Sequence, residues 1–251
     1  MDKTTLWFIV GFVAIVVVVV VFAGITSGGF ATSSGTNNGF SATTAAPIGP
    51  SDWVRGNATA TVSLIEYGDY ECPACEEYEP MVDQVLQQYG KRVAFAFRNY
   101  PLYDIHPLAG IAAQAAEAAG LQGKFWQMHD LLYATSSWVQ WTMSTPASVL
   151  SQYFDGYASS LGLNAVRFNA DVSASQVTNK IQADVASGDA ASVDHTPTFF
   201  INQQQIPNPG SIADFQAALD AALNGTTAAS STPPSSTTPI VTVSSTPSAQ
   251  Y

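Results

Sequence analysis

Cysteine is almost absent from this chain, with two residues in 251. Histidine is nearly as scarce, and His106, His129 and His195 lie at scattered positions. A closed zinc centre needs four nitrogen, sulfur or oxygen ligands, so two cysteines and three dispersed histidines are a poor basis for one. Lysine and arginine are also few, eight against nineteen Asp and Glu, which leaves a net charge of −11. Binding a phosphate backbone wants a basic face, so nucleic acid is not expected as a partner. An acidic surface fits solubility outside the cell. There is no internal repeat, no phosphate-cradling glycine loop and no basic aromatic patch.

The two cysteines stand three apart, in Glu71-Cys72-Pro73-Ala74-Cys75, after an apolar run from Val62 to Tyr67 and before a stretch with helical spacing. A Cys-x-x-Cys that opens a helix sets its first sulfur among unpaired backbone N–H groups, at the positive end of the helix dipole, where the thiolate is favoured. Cys72 is the candidate nucleophile. Cys75, one turn further in, is placed to attack a mixed disulfide formed at Cys72 and release what is bound there. Pro73 suits the first helical turn, where its missing N–H costs nothing. The alternatives are half of a zinc site, which lacks partners, and a structural crosslink, which closes almost no loop and so constrains little.

The ends of the chain read differently from its middle. Residues 1–5 form a short N-terminal segment expected in the cytoplasm. Leu6 to Ile25 is uncharged and almost wholly apolar, about the ~20 residues that a membrane-spanning helix needs. Lys3 precedes this run and no Lys or Arg follows until Arg55, so the positive-inside rule turns the remaining chain outward. An outward compartment tolerates disulfides. Residues 26–50, rich in Ser, Thr, Gly and Asn, read as a flexible tether. Residues 226–251 read as a disordered Ser/Thr/Pro tail.

Between these ends the composition is that of a folded α/β domain. Thr61 to Tyr67 has strand character, Cys72 to Tyr89 repeats apolar residues at helical spacing until Gly90, and Arg92 to Arg98 is a strand apolar on both faces. Strand, helix, strand in that order implies a parallel crossover. The pattern then turns helical: Ile111 to Gly120, Phe125 to Tyr133, Pro146 to Leu161, Ala165 to Phe168, and Ser173 to Ala186. Strand character returns at Thr198 to Ile201 and Gln204 to Ile206, and Ile212 to Leu223 is a last helix. A sheet with helices on its faces and a helical cap over one end is expected.

Four stretches together resemble the DsbA-like thiol-disulfide oxidoreductases of the thioredoxin superfamily. They are Glu66-Tyr67-Gly68-Asp69-Tyr70-Glu71-Cys72-Pro73-Ala74-Cys75; Phe97-Arg98-Asn99-Tyr100-Pro101-Leu102 with His106-Pro107; Gln122 to Tyr133; and Thr196-Pro197-Thr198-Phe199-Phe200. The resemblance implies a thioredoxin fold split into residues 51–105 and 188–225 by an all-helical insertion at 106–187. It implies that Pro197 is cis against the dithiol, and that the backbone at Thr196 pairs with an extended client peptide. It also implies that Glu66 is the buried proton acceptor of Cys75, with a raised pKa. The alternative for Glu66 is an ion pair with a base such as Arg98.

Two departures from the family pattern bear on mechanism. The dipeptide between the cysteines is Pro73-Ala74, without the histidine found there in strong oxidants, so a milder oxidant is expected. His195 replaces a frequent glycine before Thr196-Pro197; it either lies near Cys72 and returns some positive charge, or is a solvated loop residue. His106 and His129 read as a helix-start residue and a partly buried helix residue. The expectation is a membrane-anchored, outward-facing thiol-disulfide oxidoreductase that donates disulfides to secreted proteins. It would be reoxidised by a membrane partner such as a quinone-linked thiol oxidase, and would need neither metal nor dissociable cofactor. A reductase or isomerase of the same fold, and a non-catalytic metal- or client-binding protein, are the alternatives.

Overall fold

The computed structural model describes residues 44–225. The expected membrane helix at 6–25, the first part of the tether and the tail at 226–251 lie outside the described residues. Among the described residues, no helix is long and apolar enough to cross a membrane.

Five strands form one sheet in the order β1-β3-β2-β4-β5. They are β1 (Val54–Gly56), β2 (Val62–Gly68), β3 (Val93–Asn99), β4 (Thr198–Ile201) and β5 (Gln204–Ile206). The β2 and β3 strands run parallel, from Val62 opposite Val93 to Gly68 opposite Asn99, joined as expected through the helix α1 (Pro73–Tyr89). The other three pairings are antiparallel. All of β3 is buried, and all of β2 but Ser63, as a sheet covered on both faces requires. β1 is the strand that the pattern of residues does not announce, since three residues with a central arginine are too short to show alternation.

Period-two alternation sorts the central strands into two apolar layers. Leu64, Phe95, Phe97, Phe199 and Ile201 face the main core with α1, the last helix α8 (Ile212–Leu223) and the inserted helices. Ile65, Tyr67 and Phe200 face the other way, into a smaller cluster with Ala45, Ala191 and Val193. Each fully buried side chain of this size contributes about 1.5–3 kcal/mol. Glu66 shares the face of Leu64 by the same alternation, which directs a carboxylate into the main core.

The insertion between β3 and β4 comprises α2 (Ala109–Gly120), α3 (Phe125–Tyr133), α4 (Thr135–Trp141), a π-helical turn at Leu150–Phe154 running into α5 (Asp155–Ser160), α6 (Ala165–Val172) and α7 (Ser175–Ala190). Two differences from the sequence reading stand out. The α4 segment, Thr-Ser-Ser-Trp-Val-Gln-Trp, has poor intrinsic propensity, and its tryptophans hold it in place: Trp138 Nε1 donates to the Tyr70 carbonyl and Trp141 Nε1 to that of Leu132, at 2.8 and 2.9 Å. α6 extends to Val172, a turn beyond the expected end. At the other end of the domain, the last residues of the expected tether are docked. Thr44 bridges Gln204, Ala45 is buried, and the carbonyls of Ala46 and Pro47 accept from Arg98 at 2.9 Å.

Candidate active site

Cys72 occupies the N-cap of α1 in extended conformation, with Pro73 opening the helix. Its N–H donates to the Asp69 carbonyl and its own carbonyl accepts from Glu76 N, which fixes the sulfur over the helix N-terminus. Cys72 is 6% exposed and Cys75 1%. Both thiols are free. Opposite them is the loop before β4, where the Thr196-Pro197 bond is cis, as the resemblance implied. Cys72 Sγ lies 3.5 Å from the Thr196 carbonyl oxygen.

This setting separates the two sulfurs. The Cys75 thiol donating to Cys72 is the largest influence on the latter; burial opposes it, and the Thr196 side chain and the backbone N–H groups of Cys75 and Ala74 add to it. The result brings the Cys72 pKa down to about 5. The Thr196 hydroxyl has no partner at strict hydrogen-bonding geometry, yet it faces the sulfur closely enough to favour the thiolate. Cys75 moves the other way: burial, the hydrogen bond given to Cys72 and the nearby Glu66 all push its thiol well up. A sulfur poised as thiolate thus stands beside a second thiol that holds its proton.

Glu66 is 1% exposed, and its Oε2 has no hydrogen-bond partner among the described residues. Burial, then the charges of Glu79 and Cys72, raise its pKa well above the carboxylate range. Arg98 does not pair with it. Strand alternation turns Arg98 to the opposite face, where it bonds Asp52 at 2.9 and 3.1 Å, the Tyr67 hydroxyl at 3.0 Å and Ser187 at 3.2 Å. Arg98 therefore braces the sheet against residues 46–52. His195 is half-exposed, and its Nδ1 lies 2.6 Å from Asp194 Oδ1.

Three groups to which the sequence reading gave no part in the site complete the surroundings. Asp69 ties the motif to the loop after β3: its Oδ1 accepts from Glu71 N, and its Oδ2 meets Leu102 N and His106 Nδ1, each at 2.8 Å. His129 is wholly buried rather than partly so. Its Nδ1 meets the Tyr70 hydroxyl at 3.0 Å and its Nε2 meets Glu79 Oε1 at 3.2 Å, within a cage of Phe97, Phe125, Trp126 and Tyr133. Burial alone would raise the Glu79 carboxyl, but His129 and Arg55 together outweigh it and hold the pKa low. The one available signal was helical spacing, which places Glu79 four residues after Cys75 and so on its face of α1. Glu79, His129 and Asp130 bring potential metal-ligand atoms within 4.8 Å of one another. Arg55 already pairs with Asp130 and lowers the Glu79 pKa, so a guanidinium competes with any added cation there.

A thioredoxin-type sheet split by helices after β3, with Cys-x-x-Cys at the head of α1 facing a cis-proline loop, has the architecture of the DsbA-like thiol-disulfide oxidoreductases. The chain belongs to the thioredoxin family, whose model, described as thioredoxin, matches residues 49–221. Among solved structures, a thioredoxin-like oxidoreductase from Silicibacter pomeroyi DSS-3 is similar at TM-score 0.59 and 26% identity, over 70% of this chain and 94% of that one. BdbD from Bacillus subtilis, in oxidised form, shares the fold at TM-score 0.60 and 20% identity, over 72% and 98%. Alpha-DsbA1 from Wolbachia pipientis does so at TM-score 0.60 and 19% identity, over 72% and 94%. Among curated proteins, Na(+)/H(+) antiporter NhaA 1 of Salinispora arenicola (strain CNS-205) is 40% identical over 181 residues, which is 72% of this chain and 26% of that protein. NhaA 1 of Mycolicibacterium gilvum (strain PYR-GCK) is 35% identical over 178 residues, 70% and 27%. The chain spans about a quarter of the length of these curated relatives.

Proposed function

We propose that this protein is a membrane-anchored thiol-disulfide oxidoreductase facing the outside of the cell, and that it donates disulfides to secreted proteins. The observation that carries the reading is the opposed tuning of the two sulfurs, with Cys72 at about pKa 5 and Cys75 raised. A stabilised thiolate stabilises the reduced form and so makes the disulfide a better oxidant.

In the oxidised protein a client thiolate attacks Cys72 Sγ, the Cys72–Cys75 bond breaks, and Cys75 leaves as a thiolate. Glu66, protonated by virtue of its raised pKa, is a buried acid whose charge is felt at Cys75 and which can return a proton to it. A second client thiolate then attacks the client sulfur of the mixed disulfide, Cys72 departs as thiolate, and the client carries away its disulfide. Two electrons pass from client to protein; of the two protons the client gives up, one ends on Cys75 by way of Glu66 and the other goes to solvent, because Cys72 stays a thiolate above about pH 5. The Thr196 carbonyl at Cys72 supports strand-like pairing with the client backbone. A membrane thiol oxidase, quinone-linked, completes the cycle by reoxidising the pair. The apolar run at 6–25 is the proposed anchor, with the N-terminus in the cytoplasm.

The electrostatic setting also supports the milder oxidant. The Cys72 value lies between those of thioredoxin, about 7, and DsbA, about 3.5. Equilibrating the full-length chain in glutathione buffers and trapping free thiols tests the proposal. A potential between about −270 and about −120 mV is expected. A value at or below the thioredoxin end would reverse the direction and make the protein a reductase.

A further inference from the structure

Among the described residues five large apolar side chains are exposed, and four of them lie in or next to segments bonded to the turn that precedes Cys72. Tyr103 and Ile105, 60% and 68% exposed, lie in the loop whose ends, Leu102 N and His106 Nδ1, are both bonded to Asp69. Val139 sits on α4, and Met143 directly follows that helix. The helix is held by Trp138 to the Tyr70 carbonyl and by Thr135 to Glu76 Oε1. Asp69-Tyr70-Glu71 is the turn that delivers Cys72. Apolar surface therefore rises from segments anchored on this turn.

Its charge is of one sign. Asp104 stands exposed between Tyr103 and Ile105, and Glu77 is exposed one turn beyond Pro73; Asp194, exposed two residues before Thr196, is paired with His195. The described cations are engaged or remote. Arg55, Arg98 and Lys180 are in ion pairs with Asp83 and Asp130, with Asp52, and with Asp184. Lys91 and Arg92 follow the far end of α1, about 25 Å of helix away from Cys72. Lys124 and Arg167 lie by the C-terminal end of α2, where the backbone N–H of Lys124 donates to Ala119 O and Arg167 Nη2 donates to Leu121 O, and Arg167 pairs with Asp171. His195 is held by Asp194.

Building on the oxidoreductase reading, we infer that this rim selects client segments in which lysine or arginine, together with apolar residues, flank the reacting cysteine. Opposite charge at the mouth raises the encounter rate, and the apolar side chains hold the segment once it arrives. A cation beside the client thiol also lowers that thiol's pKa, which increases the attacking thiolate. In each turnover the client dithiol loses two electrons and two protons as its S–S bond closes; the Cys72–Cys75 bond opens to take both electrons, Cys75 keeps one proton and the other goes to solvent.

The test uses the oxidised full-length chain in nonionic detergent and three two-cysteine peptides with the same apolar residues, differing only in Lys, Gln or Glu beside the first cysteine. The Lys peptide should be oxidised about tenfold faster than the Glu peptide at low salt. The ratio should fall toward one in about 1 M salt, where charge acts over only about 3 Å. The double variant Glu77→Lys with Asp104→Lys should invert the order. Equal rates, a faster Glu peptide, or an order unchanged in the double variant would overturn the inference. Dimerisation of the wild-type chain in sedimentation velocity, abolished by the double variant, would assign the rim to a second copy and also overturn it. Failure to oxidise any of the peptides would remove the oxidoreductase reading and this inference with it.

Discussion

Cys72 Sγ and the carbonyl oxygen of Thr196 meet at 3.5 Å although 124 residues separate them in the chain. One belongs to the loop leaving β2 and the other to the loop entering β4, and these two strands are neighbours in the sheet. Antiparallel pairing brings the end of β2 beside the start of β4, with Tyr67 opposite Thr198. The dithiol and the backbone proposed to receive a client are thus set by one register.

The Cys72 thiol should titrate at about pH 5, read from the pH dependence of iodoacetamide alkylation or from thiolate absorbance. Cys72→Ser should abolish exchange, and Cys75→Ser should accumulate mixed disulfides. A Cys72 midpoint near the ordinary thiol value of about 8.5 would contradict the assignment.

The reduction potential should change slope with pH. Below about pH 5 reduction takes up two protons for two electrons, and above it only one, because Cys72 stays ionised while Cys75 stays protonated. With about 30 mV per tenfold change for a two-electron couple, the slope should halve from about 60 to about 30 mV per pH unit. A constant slope across that midpoint would exclude the split between the sulfurs.

Glu66→Gln should stabilise the reduced protein at pH 8 and matter little near pH 4.5. A group whose folded pKa is raised gives stability that is present below its unfolded value and lost as pH rises through the folded one. The effect is on the order of 1.4 kcal/mol for each unit of that rise reached by the working pH. The same variant should slow resolution of the mixed disulfide. Denaturant curves at the two pH values and single-turnover exchange measure each separately.

Asp52→Ala should cost about 3–5 kcal/mol, since it leaves the Arg98 guanidinium buried without its partner. In the intact pair the Asp52 pKa is lowered, despite burial, by Arg98, Gly49 N–H and Lys180. That stability is present above the unfolded value of about 3.9 and is lost as pH falls through the lower folded one. Urea unfolding at pH 7 and pH 3 should show the difference between wild type and variant shrinking at the acid end.

Gly68→Ala should destabilise the domain by about 1–3 kcal/mol. A Cβ there would stand 2.3 Å from Phe97 Cε2 and 3.2 Å from Glu66 Oε1. The variant therefore presses on both the core and the buried acid, and a loss of stability accompanied by an altered pH profile of exchange is the expected signature.

Much of this arrangement was legible because its parts are local in sequence. Strand, dithiol and helix occupy residues 62–89 without interruption, and periods of 2 and 3.6 mark them directly. The cis bond at Pro197 was legible only through resemblance, because no local pattern distinguishes it. What escaped was relational. His129 carries no mark of its burial, which comes from α3 laying it between Tyr70 and Glu79. Arg98 and Glu66 both looked able to pair, and a one-residue difference in strand phase, with Tyr67 opposite Arg98 and Glu66 opposite Phe97, decides that they do not. The helix α4 was missed because indole hydrogen bonds, rather than propensity, hold it.

The splitting of the sheet by α2 to α7 has a consequence for how the protein comes into being. Synthesis delivers Cys72 and Cys75 long before Thr196, so an incomplete chain carries its sulfurs without the strand that flanks them. Such a chain lacks β4, which pairs with β2, and lacks the carbonyl that meets Cys72 Sγ. Its thiols would face the surroundings without the strand and the carbonyl that enclose them in the finished domain. Competence in sulfur chemistry thus doubles as a certificate of completion, issued only when the last fifth of the described domain has joined the first.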